Sequence, residues 1–322
     1  MNAFHQLDKP YSKTWYSSEA TQASFLLGGI GTGNVSIGSR GQLKDWELFN
    51  RPGKGLQLPY SFFSIWAQLE GKKPVARVLE SRLVPPYRQA LGHLSQDIGG
   101  LPRLRSAKMA AEYPFVEVCF EDEVFPVQVD LEAFTPFVPL DADASGIPCA
   151  ILRYRVRNPL NQAVTVSVAG SLCNATEYRG YCIHRGIQLG NDVDNEYRET
   201  PESTGIFFTN PRSENPALRK NSMALSTRQK GVSHKTAWMN EGWFDGIQDF
   251  WDEFTQNGVV SDVKHKPQEN SKIGIETFKV GTLCITKQIP AHSETIFEFQ
   301  LAWYFPLRPR AWDTEDKIEI EN

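Results

Sequence analysis

The sequence is short of most features that would assign a chemistry at sight. No stretch approaches roughly 18 consecutive apolar residues, so no membrane-crossing helix is expected. The first residues, MNAFHQLDKPYSKTW, lack the charged start and apolar run of a secretory leader. Cysteine is scarce, with five residues at 119, 149, 173, 182 and 284 and no CxxC. That count argues against a disulfide framework and for free thiols in a reducing, cytoplasmic setting. Cys119 and Cys149 lie in apolar runs and read as small core residues. The six histidines have no partner at i+2, i+3 or i+4, so no metal motif and no cofactor is expected. GxSxG, the mark of a hydrolase nucleophile elbow, is absent. A formal charge of −4 over 322 residues gives no global attraction to nucleic acid or to anionic lipid.

Glycine, by contrast, is concentrated in one place, GGIGTG at residues 28 to 33. A dinucleotide fingerprint needs glycines at i, i+2 and i+5, but the last position falls on Asn34 or Ser36. A P-loop needs lysine after the second glycine, where Asn34 stands. The next residues alternate (Val35, Ile37) and break again at Gly38 and Gly41, unlike a helix start. The glycines therefore read as bends between short strands.

Alternation of period two runs through the chain. Phe63, Ile65, Ala67 and Leu69 share a face, as do Val116, Val118 and Phe120, then Val127, Val129 and Leu131. Ala150, Leu152, Tyr154 and Val156 continue it, and after the turn NPLNQ come Val164, Val166 and Val168. Phe297, Phe299, Leu301, Trp303 and Phe305 repeat the pattern near the end. Short aromatic and β-branched strands punctuated by Pro, Gly and Asn predict an all-β fold, a large antiparallel two-sheet β-sandwich with a few short helices. One stretch differs: in EGWFDGIQDFWDEF (241 to 254), Trp243, Ile247 and Trp251 recur at helical spacing and predict a helix packed on a sheet. Residues 190 to 222 are polar and proline-broken and read as long loops. The acidic DTEDKIEIEN at the end reads as a tail, so the sandwich is expected over 1–310 and the tail or the start of a linker over 311–322.

Carboxylates that could serve a glycosidase pair include Asp45, Glu47, Asp130, Glu132, Asp141 and Glu177, but spacing in sequence pairs none of them. Arg51, Lys54, Arg82, Arg103 and Arg105 are dispersed and read as a solvated surface.

Taken whole, LLGGIGTGNVSIGSRGQLKDWELFNRPGKG (26 to 55) resembles the opening segment of glycoside hydrolase family 116, the group of non-lysosomal glucosylceramidase and bacterial β-glucosidases. The resemblance rests on Gly28 to Gly31, Gly38, Gly41, Trp46 and Pro52-Gly53, and continues in residues 131–172, in WDEFTQNG (251 to 258) and in IPAHSETIFEFQLAWYFP (289 to 306). It implies the family's N-terminal β-sandwich, to which a helical (α/α)6 catalytic domain is joined, with β-glucosides as substrates. The family's nucleophile and acid/base belong to that helical part, so no catalytic residue is carried over to this chain. The expected function is thus a non-catalytic support for a separate catalytic domain in the hydrolysis of O-glycosyl bonds. The alternative is a standalone carbohydrate-binding or scaffold module using Trp243 or Trp251 as a stacking platform. Trp46, Glu47, Arg51 and Lys54, around Pro52-Gly53, are the candidate substrate-rim or domain-interface residues. The partners implied are the helical domain and, through it, a β-glucoside.

Overall fold

The computed structural model describes residues 13–85, 98–182, 186–216, 218–239, 246–262 and 278–307. Strand β1 (Trp15–Ser17) is followed by β2 (Ser24–Leu27), β3 (Asn34–Gly38) and β4 (Leu43–Glu47), which pair antiparallel as a small three-stranded sheet. Next come β5 (Phe62–Leu69), β6 (Val75–Ser81), β7 (Arg103–Leu104), β8 (Ser106–Glu112), β9 (Phe115–Glu121) and β10 (Gln128–Phe134). Helix α1 (Ala142–Ser145) precedes β11 (Cys149–Arg157) and β12 (Val164–Cys173). The chain goes on through β13 (Tyr178–Cys182), β14 (Gly186–Leu189), β15 (Asp194–Glu199), β16 (Thr204–Thr209), β17 (Ser222–Thr227) and β18 (Val232–Lys235). Helix α2 (Gly246–Asn257), β19 (Val280–Ile289) and β20 (Glu294–Tyr304) complete it.

Two large sheets carry the fold. One has nine strands in the order β1-β8-β9-β10-β11-β20-β17-β16-β15, the other six in the order β18-β19-β12-β5-β6-β7. The alternation seen in the sequence lays the core between them. Ala150, Leu152, Tyr154 and Val156 of β11 and Phe297, Phe299 and Leu301 of β20 face Val164, Val166 and Val168 of β12 and Phe63 and Ile65 of β5, all buried in one cluster. Phe63 meets Tyr154 and Phe299 at ring distances of 5.1 Å each, bridging the two sheets. This is an all-β sandwich.

The six-stranded sheet is covered on its outer face as well, which is why β5 (FFSIWAQL) is apolar on both sides. Phe62, Trp66, Val78 and Ala169 pack there against Trp238, Phe250 and Phe254. Within α2 the buried stripe is Phe250 and Phe254, with Ile247 and Trp251 partly buried; Trp243 lies outside the described residues. Trp238 and Phe250 stack at 4.9 Å, and the Trp66 indole N–H donates to the Thr255 carbonyl at 3.0 Å. Beneath the helix, buried Lys235 lies 3.1 Å from Asp249 and 3.3 Å from Glu253. Gly258, at φ +68, ends the helix by donating its N–H to the Phe254 carbonyl at 2.8 Å, a left-handed cap that favours glycine, and a Cβ there would sit 2.5 Å from the Trp66 ring. Trp251 is therefore partly engaged in packing, against Phe250 and Phe254.

Three further expectations are corrected. The polar stretch 190–222 supplies β15, β16 and the first residue of β17, three strands at one edge of the nine-stranded sheet. Its polarity belongs to an edge strand open to water, β15, while Ile206 and Phe208 of β16 enter the core. Cys119 and Cys149 are half-buried on the outward face, because they alternate with the inward residues; Cys173 and Cys284 are the buried ones. Burial pushes the Cys119 thiol up to about 12, helped by neighbouring Asp130, so it is not a reactive thiolate. Arg103 is not on a solvated surface: its side chain is 4% exposed and reaches Glu80 at 3.4 Å, which also meets buried Arg40 at 3.3 Å.

Because Phe254 is fully buried between sheet and helix, Phe254→Ala is expected to lower unfolding free energy by about 3–5 kcal/mol, read by urea titration.

Candidate functional site

The predicted residues Trp46, Glu47, Arg51 and Lys54 lie on β4 and the loop after it, and two carboxylates of β4 tie that loop down. Asp45, with φ 51, accepts the Gly55 N–H at 2.6 Å and the Ser24 hydroxyl at 2.9 Å. Glu47 accepts the Gly53 N–H at 3.1 Å and pairs with Lys54 at 2.8 Å. Burial alone would push both carboxyls up. For Asp45 the Gly55 N–H, Lys44, Ser24 and Lys54 outweigh it, and for Glu47 Lys54, Gly53 and Asn34 do, so both titrate below the usual range. Lys54 is exposed. Trp46 is fully buried in the core, and its indole N–H has no hydrogen-bond partner. Arg51 is half-buried, and its charge tempers the upward push that burial gives the Tyr178 hydroxyl.

The same loop grips the end of the last strand. Asn50, at φ 54, donates its side-chain N–H groups to the carbonyls of Phe305 (3.2 Å) and Leu307 (2.8 Å). Phe49 stacks on Tyr178 at 4.4 Å and meets Phe305 edge-on at 5.3 Å.

GGIGTG is the β2–β3 connection and closes on the same place. The Trp303 indole N–H donates to the Thr32 carbonyl at 2.8 Å, Gly28 N–H to the Thr135 hydroxyl at 2.6 Å, and Ile30 N–H to the Ser145 carbonyl at 2.8 Å. Gly33, at φ +80, lies so close to β4 that a Cβ would sit 2.5 Å from the Glu47 carbonyl oxygen. Glycine here permits a backbone-to-backbone approach, not a phosphate cradle. The Ser145 hydroxyl accepts from Val138 N–H at 3.0 Å and donates to its carbonyl at 2.9 Å, fastening the 135–147 loop to the group.

Three loops and the end of β20 thus form one end of the sandwich. Ile30, Val138, Leu140, Ile147 and Tyr304 are exposed there, Leu140 completely. These exposed apolar side chains stand on the loops that meet at this end.

A neighbouring corner holds Glu177, one of the candidate carboxylates. The Thr176 carbonyl accepts from the side chains of Asn210 (3.1 Å) and Asn221 (3.0 Å), while Thr176 itself donates to Asn174 Oδ1 from its N–H (3.1 Å) and hydroxyl (2.6 Å). Glu177 is buried against Gly190 and pairs with Arg179 at 2.7 Å; its second oxygen has no partner. The sequence offered Glu177 as a carboxylate, but its asparagine neighbours Asn210 and Asn221 are brought in from distant segments.

The remaining candidate carboxylates are engaged elsewhere. Asp130 pairs with Arg157, and Glu132 with Arg153 at 2.8 Å. Asp141 caps α1 by accepting the Ala144 N–H at 2.9 Å. Among the described residues no cluster of His, Cys, Asp or Glu suits a metal ion, and no helix is long and apolar enough to cross a membrane.

Over residues 24–319 the chain matches the family described as beta-glucosidase 2, glycosyl-hydrolase family 116 N-term. The chain belongs to that family. The match takes in every element from β2 onward, so GGIGTG, the Asn50 loop and β20 are parts of the family 116 N-terminal fold. Among solved structures it is similar to a putative kojibiose phosphorylase from human microbiome, at 7% identity and TM-score 0.33, covering 90% of this chain and 25% of that one. It is similar also to 4-alpha-glucanotransferase from Thermococcus litoralis, at 10% identity and TM-score 0.36, covering 91% of this chain and 39% of that one. A third is a putative aldose 1-epimerase from Escherichia coli K12, at 10% identity and TM-score 0.33, with 88% of this chain and 99% of that one covered. The family 116 chain thus spans about a quarter to two fifths of the length of the first two.

The Asp45 carboxylate titrates below its ordinary value in the fold, so it contributes stability above the ordinary carboxylate pKa and loses it as pH falls through the folded value. Asp45→Asn, which tolerates the same backbone, is expected to cost about 1–2 kcal/mol at neutral pH. The gap between wild type and variant should close as pH drops below about 4, followed by chemical denaturation across pH.

Proposed function

We propose that this family 116 domain is the non-catalytic N-terminal sandwich of a β-glycosidase, of the β-glucosidase or glucosylceramidase-like group, and that it seats a separate helical (α/α)6 catalytic domain. The observation that carries the reading is the meeting, at one end of the sandwich, of the exposed residues Ile30, Val138, Leu140 and Ile147 with the last strand, whose outgoing carbonyls Asn50 holds. Residue 307 lies at that end, so a domain joined there would meet the patch directly. On this reading the sandwich occupies 1–310 and a linker begins over 311–322, and the protein works in the cytoplasm. Glu47, Arg51 and Lys54 form the polar rim of the seat, and Trp46 holds their loop from behind. Both carboxylates that would attack the anomeric carbon and protonate the leaving oxygen belong to the helical domain.

The test is sedimentation of the 322-residue chain with the helical part of a family 116 glycosidase expressed separately. The two are expected to associate. Ile30→Ser with Leu140→Ser should weaken the complex at least about tenfold, some 1.4 kcal/mol, and Arg51→Ala should weaken it less. Association untouched by these changes contradicts the reading. The chain alone is expected to show no turnover of an aryl β-glucoside; turnover by it would place the chemistry in the sandwich instead.

A further inference from the structure

A second site lies on the outer face of the nine-stranded sheet, near the β8–β9 turn. A cleft of about 490 Å³ is lined there by Lys13, Glu112, Tyr113, Phe115, Glu117 and Glu132, within the range of small-ligand sites, about 300–1,000 Å³. Strand register explains its shape. Ala110 pairs with Glu117, and Glu117 with Glu132, so these three share one row across the outer face; Glu112 and Phe115 pair in the next. Ala110 contributes only a methyl group, which leaves room between the longer side chains.

Two aromatic rings stand at this cleft half-exposed, Tyr113 at 52% and Phe115 at 49%, where most aromatic side chains of the sandwich are buried. Each packs against a neighbouring ring. Phe137 meets Tyr113 edge-on at 5.1 Å, and Phe134 lies 5.4 Å from Phe115. The polar groups are paired: Lys13 holds Glu117 at 2.7 Å, and Arg153 holds Glu132 at 2.8 Å. Apolar rings beside hydrogen-bonding groups are what a sugar ring requires. Its C–H face covers an aromatic ring while its hydroxyls donate to carboxylates and accept from an ammonium. Carboxylates outnumber cations around the cleft, which disfavours an anionic sugar.

A larger cleft, about 690 Å³, lies farther along the same face beside Asp130 and Arg157. Its aromatic residues, Phe120 and Phe125, are buried and present no ring to a ligand.

We infer that the cleft at Tyr113 and Phe115 binds a neutral saccharide, stacked on the two rings and held by Glu117, Glu132 and Lys13. It lies at the same end of the sandwich as the seat of the catalytic domain, with Phe137 between the two, and needs no catalytic residue.

The test is titration of the 322-residue chain with cellobiose and methyl β-glucoside, followed by saturation-transfer NMR and calorimetry, with glucuronate and choline as controls. Saturable binding of cellobiose is expected, with Tyr113→Ala and Phe115→Ala each weakening it at least tenfold and Glu132→Gln weakening it as well. Leu140→Ser, on the catalytic-domain seat, should leave it unchanged, and the ring variants should stay folded with melting temperatures only slightly lowered, because both rings are half in water. Three results overturn the inference: no saturable binding of either sugar, equal binding by the Tyr113→Ala/Phe115→Ala double variant, or binding of choline in place of sugar. Sugar binding and association with the helical part are independent readouts, so either reading can fail without the other.

Discussion

The rest of the structure depends on the insertion of β20 between β11 and β17. The last strand of the sandwich is not an edge; it fills the middle of the nine-stranded sheet, pairing along its length with β11 and, at its end, with β17. Until it is in place, the β1-β8-β9-β10-β11 half and the β17-β16-β15 half have no common strand. Its inward residues Phe297, Phe299 and Leu301 also complete the core opposite β5 and β12. Pairing of such distant segments makes folding dependent on contacts of high sequence separation.

The far end of that strand organises the candidate surface. Trp303 takes hold of the Thr32 carbonyl across 271 residues, and Asn50 takes hold of Phe305 and Leu307 across 255 and 257. Apolar loops that would otherwise lie loose are thereby fixed around residues 305–307. A rigid, partly apolar rim is the feature that separates this end from the β9–β10 turn at the opposite end, where Val124 is the exposed apolar residue.

The fold was legible where burial imposes alternation. Ala150 to Val156 and Phe297 to Trp303 read as strands because one face meets the core and the other meets water or salt links such as Arg153 with Glu132 and Glu298. It was illegible at β15, where an edge strand open to water carries no such pattern, and at Arg103, whose burial depends on Glu80 from a different strand. The site was half legible. Trp46, Glu47, Arg51 and Lys54 lie in one recognisable turn, but their connection to residues 305–307, to Tyr178 and to the 135–147 loop is long-range and leaves no local trace. The rings at Tyr113 and Phe115 were hidden for a related reason, since only the register of β8 on β9 sets them beside Glu117 and Glu132.

That the loop end around β20 seats a second domain is tested most directly by amide hydrogen exchange on the chain alone and on the chain bound to the helical part of a family 116 glycosidase. Exchange should slow at residues 28–33, 48–56 and 137–147 on binding and stay as it was at the β9–β10 turn, residues 122–126. Protection confined to the opposite end, or to neither end, would contradict the account.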